Sequence, residues 1–245
     1  MILQSEKAKS LILEIFSKLS VNNQVAQLCA EGLVQTSLRG IDTHGIKLLP
    51  HYVAAIESGR LNPNPDLKFK QTSSTTGILD ADHTLGYAAG VIAIQHAIKL
   101  AKESGTGFVS VKNSSHCGAL AYPCLKACDE DMIGLGFTHA TSRMKSPGSN
   151  REFFGTNPLC FTAPMEKEDP FCFDSSPTMI PFHKIFHYRE TSTTLPDGST
   201  ADINGNETVD PFEAVQLLPI GDYKGFGWSM MVDILAGLLS GMPVG

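Results

Sequence analysis

Apolar residues along the first part of the chain recur at helical spacing. Ala8, Leu11, Ile12, Ile15, Phe16 and Leu19 form one stripe, and Lys7, Lys9, Glu14 and Lys18 fall largely off it. The spacing predicts an amphipathic helix. Asn22 or Asn23 can cap a second helix, whose stripe is Val25, Leu28, Cys29, Gly32 and Leu33 and which stops near Gly40. A third helix runs to about Ser58. Gly59, Pro63 and Pro65 then break the pattern, which puts a helical domain at residues 1–65 and a second domain at 66–245.

After the break the period changes. Leu67–Lys70 and Gly77–Ala81 read as strands, and Tyr87–Glu103 as a helix with Val91, Ile94, Ile98 and Ala101 on one face. The strand Gly107–Val111 follows, then a helix from about Gly118 to Asp129, then the strand Met132–Phe137. Strands alternating with helices predict an α/β fold. Thr138–Asn157 is a long polar stretch rich in Gly and Pro, of the kind that covers or builds a site. Beyond it come the strands Leu159–Ala163 and Pro170–Asp174, a helix from Thr178 to about Arg189, turns at 195–198 and 204–207, and an apolar helix from Trp228 to Leu239.

Composition narrows the function classes. The 245 residues are 42% hydrophobic and 18% charged, ordinary for a chain with a sizeable core. A net charge of −6 without a basic run argues against a nucleic-acid partner. The apolar stretches are too short and too interrupted to span a bilayer, and the first ten residues lack the apolar core of a secretory signal. The six cysteines form no CxxC pair and read as reduced thiols of a cytoplasmic protein.

Candidate chemistry centres on Asn113-Ser-Ser-His-Cys-Gly118. His116 falls between a strand's carboxyl end and a helix's amino end, where open α/β sheets place ligands and free helix N–H groups favour anions. It is either a site histidine or a cap of the next helix. His44, beside Asp42, is a second acid–base candidate, since a carboxylate can orient an imidazole; a capping cluster between helices accounts for the same residues. Cys117 is a nucleophile or a small wall residue next to His116. His183 and His187 stand four apart, as metal ligands would, but no third ligand is evident and an amphipathic face explains them better, so no metal is expected. Ser175 and Ser176, after Asp174, have the chemistry of a helix cap. Lys224 at a helix start opposes the helix dipole, which fits an anionic ligand between them or a solvated side chain. Gly105-x-Gly107, Gly134-x-Gly136 and Gly225-x-Gly227 each lack the third glycine of a dinucleotide fingerprint.

Five stretches together resemble one family: Asp-Thr-His-Gly at 42–45, Asn-Ser-Ser-His-Cys-Gly at 113–118, Gly-Thr-Asn-Pro at 155–158, Phe-Asp-Ser-Ser at 173–176 and Tyr-Lys-Gly-Phe-Gly at 223–227. They occur in register with the type-2 malate/L-lactate dehydrogenases, relatives of which act on ureidoglycolate, sulfolactate and 2,3-diketogulonate. The resemblance covers essentially the whole chain. It implies an α/β protein with a non-Rossmann NAD(P)-binding domain and an N-terminal helical domain, assembled as a homodimer. The implied activity is hydride transfer between NAD or NADP and a small 2-hydroxy acid or 2-oxo acid such as malate or lactate. His116 matches the residue treated as proton acceptor in some members, and His44 the one assigned as proton donor in others. Asp174, Ser175, Ser176, Tyr223 and Lys224 match cofactor contacts.

Some positions depart from the family. Leu48 stands where many members carry an arginine suited to a substrate carboxylate, which leaves Lys47 as the anchor. Ala140 replaces a serine that touches cofactor in a relative, and Asp-Ser-Ser-Pro replaces Asp-Met-Ala-Thr. Family chains continue past the equivalent of Gly245, so the second domain is expected to be C-terminally incomplete. The apolar faces of the first two helices, with Leu11, Ile15, Phe16 and Leu28, are then expected to want a partner layer. The alternatives are a truncated, inactive dinucleotide-binding homologue and a cysteine-dependent hydrolase built on Cys117 and His116.

Overall fold

The first helix, α1 (Ser5–Lys18), buries Ala8, Ile12 and Phe16, which recur every four residues and so lie on one face. The structure is a computed structural model that describes residues 3–244. α2 (Asn23–Leu38) starts where the pattern predicts: the Asn22 side chain accepts the N–H groups of Gln24 and Val25, satisfying two of the helix's first free donors. A short 3-10 turn at Ile46–Leu48 leads into α3 (Leu49–Glu57), with a proline in its first turn. There follow β1 (Lys68–Gln71), β2 (Thr76–Asp80), α4 (Gly86–Ser104), β3 (Phe108–Lys112), α5 (Ala121–Cys128) and β4 (Gly134–Phe137). Next are β5 (Met144–Lys145), β6 (Glu152–Phe154), β7 (Leu159–Ala163), β8 (Phe171–Ser175) and α6 (Phe182–Thr191). The short strands β9 (Thr200–Ala201) and β10 (Gln216–Leu217) precede α7 (Tyr223–Ala236).

The chain forms two compact units, and the protein is α/β. The first unit comprises residues up to Gly136 together with Cys160–Phe173. In it β2 pairs parallel with β3 across the α4 crossover, and β1 lies antiparallel to β2. α4 ends at Gly105 in the left-handed conformation. A second sheet, in the order β4-β7-β8, carries Cys160 and Cys172 against Leu120, Ala121 and Cys124 of the α5 region. The helical layer buries Phe16, Cys29, Leu33 and Tyr52 together with Leu85, Tyr87 and Val91 from the start of α4. Each such large apolar side chain contributes about 1.5–3 kcal/mol. The division expected near residue 65 therefore falls inside this unit, because α1–α3 share one core with α4. Phe16 is buried in that layer with Leu28 half-buried against it, whereas Ile15 is half-buried and Leu11 exposed.

The second unit comprises Phe137–Leu159 and the chain from Asp174 onward. The stretch expected to be a loop, 138–157, contributes β5 and β6 to a small sheet of order β6-β5-β10-β9, in which β5 and β10 run parallel. Two-residue strands carry almost no periodicity, so the pattern of apolar positions does not register them. Its core is Ile180, Ile185, Leu195, Ala214 and Leu217. Asn157 is fully buried; its side chain accepts the Ala140 N–H and donates to the Ser229 carbonyl, tying the loop to α7. The helix expected to start at Thr178 begins instead at Phe182, so Ser175 and Ser176 do not cap it. Among the described residues no helix is long and apolar enough to cross a membrane.

Candidate functional site

The first unit brings His116 and His44 together. His116 lies in the segment 113–120 between β3 and α5, as expected. It does not cap α5: the cap position is Leu120, with no side-chain cap bond. Its Nδ1 accepts the backbone N–H of Gly118 at 3.2 Å. The His44 ring stacks on the His116 ring, with centroids 5.7 Å apart and planes 21° from parallel. His44 Nδ1 meets the Thr43 hydroxyl at 3.1 Å. A third imidazole, His51 at the start of α3, stands edge-on to His116 at 6.1 Å. His51 is seven residues after His44, yet nothing in its neighbours marks it as part of a site.

Two buried phenols hold these histidines by their backbone. The Tyr87 hydroxyl donates to the His44 carbonyl at 2.7 Å and accepts the Ala119 N–H at 3.1 Å. A phenol has one proton, so the Thr36 hydroxyl, 2.8 Å away, donates to it. The Tyr52 hydroxyl donates to the His116 carbonyl at 3.1 Å and stands 3.4 Å from His116 Nδ1. Burial pushes both phenols well above the usual tyrosine range, so they remain protonated donors at neutral pH. Neither tyrosine has a sequence signal of its own: each reads as an aromatic on the apolar face of a helix, which it also is.

Lys47 sits exposed on the 3-10 turn three residues after His44, free of the core that takes its neighbour. Leu48 is buried among the helical-layer residues. Cys117 packs beside Leu120, Ala121 and Cys124, which agrees with the wall reading. His183 and His187 are exposed on α6, and among the described residues no group of three His, Cys, Asp or Glu side chains could hold a metal.

The second unit gathers the other expected residues. Asp174 and Ser175 end β8, and the chain turns through Ser176 and Pro177. Ser175 Oγ donates to the Ser176 carbonyl, Ser176 Oγ meets Thr178 Oγ1 at 2.9 Å, and Thr178 Oγ1 donates to the Ile180 carbonyl. The N-terminal end of α7 packs on this turn: Ile220 N–H donates to the Pro177 carbonyl at 2.8 Å, and a Cβ on Gly225 would lie 2.5 Å from that oxygen. Tyr223 and Lys224 are in the first turn of α7 and exposed. The Asp174 carboxylate, the serine hydroxyls and the Lys224 ammonium thus belong to two segments that meet at the Ile220–Pro177 contact. That donor set fits a ligand carrying both phosphate and sugar hydroxyls. Ala140, where a relative has a serine, belongs to the same unit and gives its N–H to Asn157.

Comparison with known proteins agrees with the sequence resemblance. The profile of malate/L-lactate dehydrogenases matches residues 3–245. A malate dehydrogenase of Pyrococcus horikoshii is 35% identical over 242 residues, covering 95% of this chain and 67% of its own. An NAD(+) ureidoglycolate dehydrogenase of Escherichia coli O157:H7 is 34% identical over 220 residues, covering 90% of this chain and 63% of its own. The solved structure of the sulfolactate dehydrogenase from Methanocaldococcus jannaschii superposes with a TM-score of 0.93 at 33% identity, over 100% of this chain and 71% of that one. The chain spans about two thirds of the length of the relatives it matches.

Proposed function

Because the chain belongs to the malate/L-lactate dehydrogenase family, we propose that it transfers a hydride between NAD or NADP and a small 2-hydroxy acid/2-oxo acid pair such as malate or lactate. The observation that carries the reading is the stacked pair His44 and His116 on adjoining loops, braced by Tyr87 and Tyr52. An alcohol oxidation has to release a hydroxyl proton, and imidazole titrates near operating pH. The two rings supply the acid–base group and a hydrogen-bond partner for the substrate oxygen. Lys47 supplies a cation for the substrate carboxylate. Asp174, Ser175, Ser176, Tyr223 and Lys224 would hold the dinucleotide, the carboxylate taking sugar hydroxyls and the ammonium and serines taking phosphate. The bound dinucleotide supplies the hydride acceptor or donor. The relatives' names range over malate, sulfolactate and ureidoglycolate, all small 2-hydroxy acids, which supports the substrate class. A homodimer belongs to the same reading; the exposed Met230, Met231 and Ile234 on α7 are the kind of surface an assembly covers.

The test is a screen of 2-hydroxy and 2-oxo acids with NAD and NADP in turn, following the near-ultraviolet absorbance of reduced nicotinamide. Turnover of at least one acid is expected. Dinucleotide binding without turnover on any of them would select the inactive homologue, and an ester- or amide-hydrolysing activity that needs no dinucleotide and is lost on alkylating Cys117 would favour the hydrolase reading.

A further inference from the structure

The two histidines meet different partners at Nδ1, and that difference sorts their roles. His116 Nδ1 accepts the Gly118 N–H at 3.2 Å. A backbone amide donates and never accepts, so a proton on this Nδ1 would face the amide proton. The amide cannot swing aside. Gly118 is held at φ +65, and a Cβ there would lie 2.0 Å from the Tyr87 ring, so the two are already in close contact. The next amide, of Ala119, is fixed on the Tyr87 hydroxyl. Tyr52 lies further from Nδ1, at 3.4 Å, and directs its proton to the His116 carbonyl. The ring is therefore held with its proton on Nε2. His44 differs: its Nδ1 meets the Thr43 hydroxyl at 3.1 Å. A hydroxyl donates or accepts by rotation, so this ring keeps its partner in either protonation state.

Resting on the dehydrogenase reading, we propose that His116 serves as a fixed Nε2–H donor to the substrate's C2 oxygen, while His44 exchanges the hydroxyl proton. Gly118 and Thr43 are the positioning residues that set this division. In the oxidative direction the substrate O–H bond breaks and its proton passes to His44 Nε2, with Nδ1–H donating to Thr43 Oγ1. The C2 hydrogen leaves together with its bonding electron pair as hydride, which a bound oxidised dinucleotide would accept, and the electron pair left on the oxygen forms the C2=O bond. The His116 Nε2–H bond stays intact throughout and strengthens its hydrogen bond as negative charge builds on the oxygen.

The deciding measurement is a long-range proton–nitrogen correlation spectrum of the full chain labelled with 15N-histidine, assigned with His116→Gln and His44→Gln. The expected pattern for His116 is an unprotonated Nδ1 and a protonated Nε2. A protonated Nδ1 overturns the proposal. This spectrum needs no substrate, so it decides the tautomer even if the substrate screen finds no turnover. Kinetics provide the second arm. His116→Gln retains an amide N–H donor and should lower turnover by about tenfold or less, while His116→Leu should lose roughly 10²–10³-fold. His44→Gln should lose about 10²–10⁴-fold. Equal damage from Gln and Leu at position 116, or near-normal turnover in His44→Gln, refutes the assignment.

Discussion

Removing one oxygen atom, in Tyr87→Phe, should disturb both histidines at once. The ring of Tyr87 is fully buried and would remain in place, so the change isolates the hydroxyl. That hydroxyl joins three groups: the His44 carbonyl at 2.7 Å, the Ala119 N–H at 3.1 Å and the Thr36 hydroxyl at 2.8 Å. Each hydrogen bond contributes about 0.5–1.5 kcal/mol net, and a partner left buried without a substitute costs at the upper end. The Ala119 and Thr36 bonds are buried and the His44 bond is partly so, which allows water to replace only the last. The expected loss is roughly 2–4 kcal/mol, a large part of the roughly 5–15 kcal/mol of an ordinary domain. For a chain of this size it corresponds to a fall of about 4–16 °C in Tm. Turnover should also fall by roughly tenfold, because misplacement of the two imidazoles weakens their alignment on substrate. Thermal unfolding followed by circular dichroism, with turnover at saturating substrate, measures both. A variant that melts within about 1 °C of the parent would show that this hydroxyl does not hold the two loops, and the account of how the histidines are positioned would fall with it.

Other perturbations read separate parts of the molecule. His116→Ala, which removes the donor to the substrate oxygen, should lower turnover by about 10²–10³-fold with dinucleotide affinity, measured by fluorescence titration, changing much less. Lys224→Ala should weaken dinucleotide binding by roughly 0.5–1.5 kcal/mol, the modest figure reflecting its exposure, and more at low salt than at high salt; equal affinity across salt would leave it a solvated residue. Lys47→Met should raise KM for the 2-hydroxy acid by roughly tenfold or more with little change in kcat, and an unchanged KM would remove Lys47 as the carboxylate anchor. Asp80 is held below the usual aspartate range, first by the Asn113 side chain at 2.9 Å and then by the Asp82 N–H and Lys112. A lowered native value means that Asp80's contribution is fully present above about pH 4 and is lost as pH falls through the native value. Asn113→Ala should therefore be less stable near neutrality and lose less on acidification, in urea midpoints taken across that range; parallel acid limbs would contradict this.

The long elements were legible because one period persists through each. Ala8, Ile12 and Phe16 announce α1, and Asn22 announces the start of α2 through a bond that the structure contains. The position of His116 beyond a strand was legible for the same reason: Phe108–Lys112 is a short apolar run followed at once by polar residues. The start of α6 was not legible. Ser175 and Ser176 have the chemistry of a cap, but the Ser175 hydroxyl donates to the Ser176 carbonyl and the Ser176 hydroxyl meets that of Thr178, and the helix waits until Phe182. Local hydrogen bonding of this kind competes with helix initiation and leaves no periodic trace. The domain boundary behaved similarly. Gly59, Pro63 and Pro65 end a helix, yet Ile56 and Leu85 on either side of them enter the same core as Phe16. Punctuation residues mark where an element stops and carry no information on which elements pack together.

The candidate site was legible only in the side chains that face chemistry. His44 and His116 stand out because imidazole in a polar loop calls for an explanation. The groups that position them work through backbone atoms: phenol to His44 and His116 carbonyls, Ala119 amide to phenol, Gly118 amide to imidazole. A carbonyl oxygen is present at every residue and so cannot be singled out in a sequence. What a sequence does record is the space such bonds require. A Cβ on Gly86 would lie 2.5 Å from the His116 carbonyl oxygen and 2.4 Å from that of Ser115, and one on Gly118 would enter the Tyr87 ring. These two glycines let α4 and the histidine loop approach to backbone contact, which is what puts Tyr87 within reach of both loops. Glycine at the mouth of a helix and glycine two residues after a histidine are therefore the sequence's trace of the positioning network, and they become readable as such only once the phenol they make room for is known.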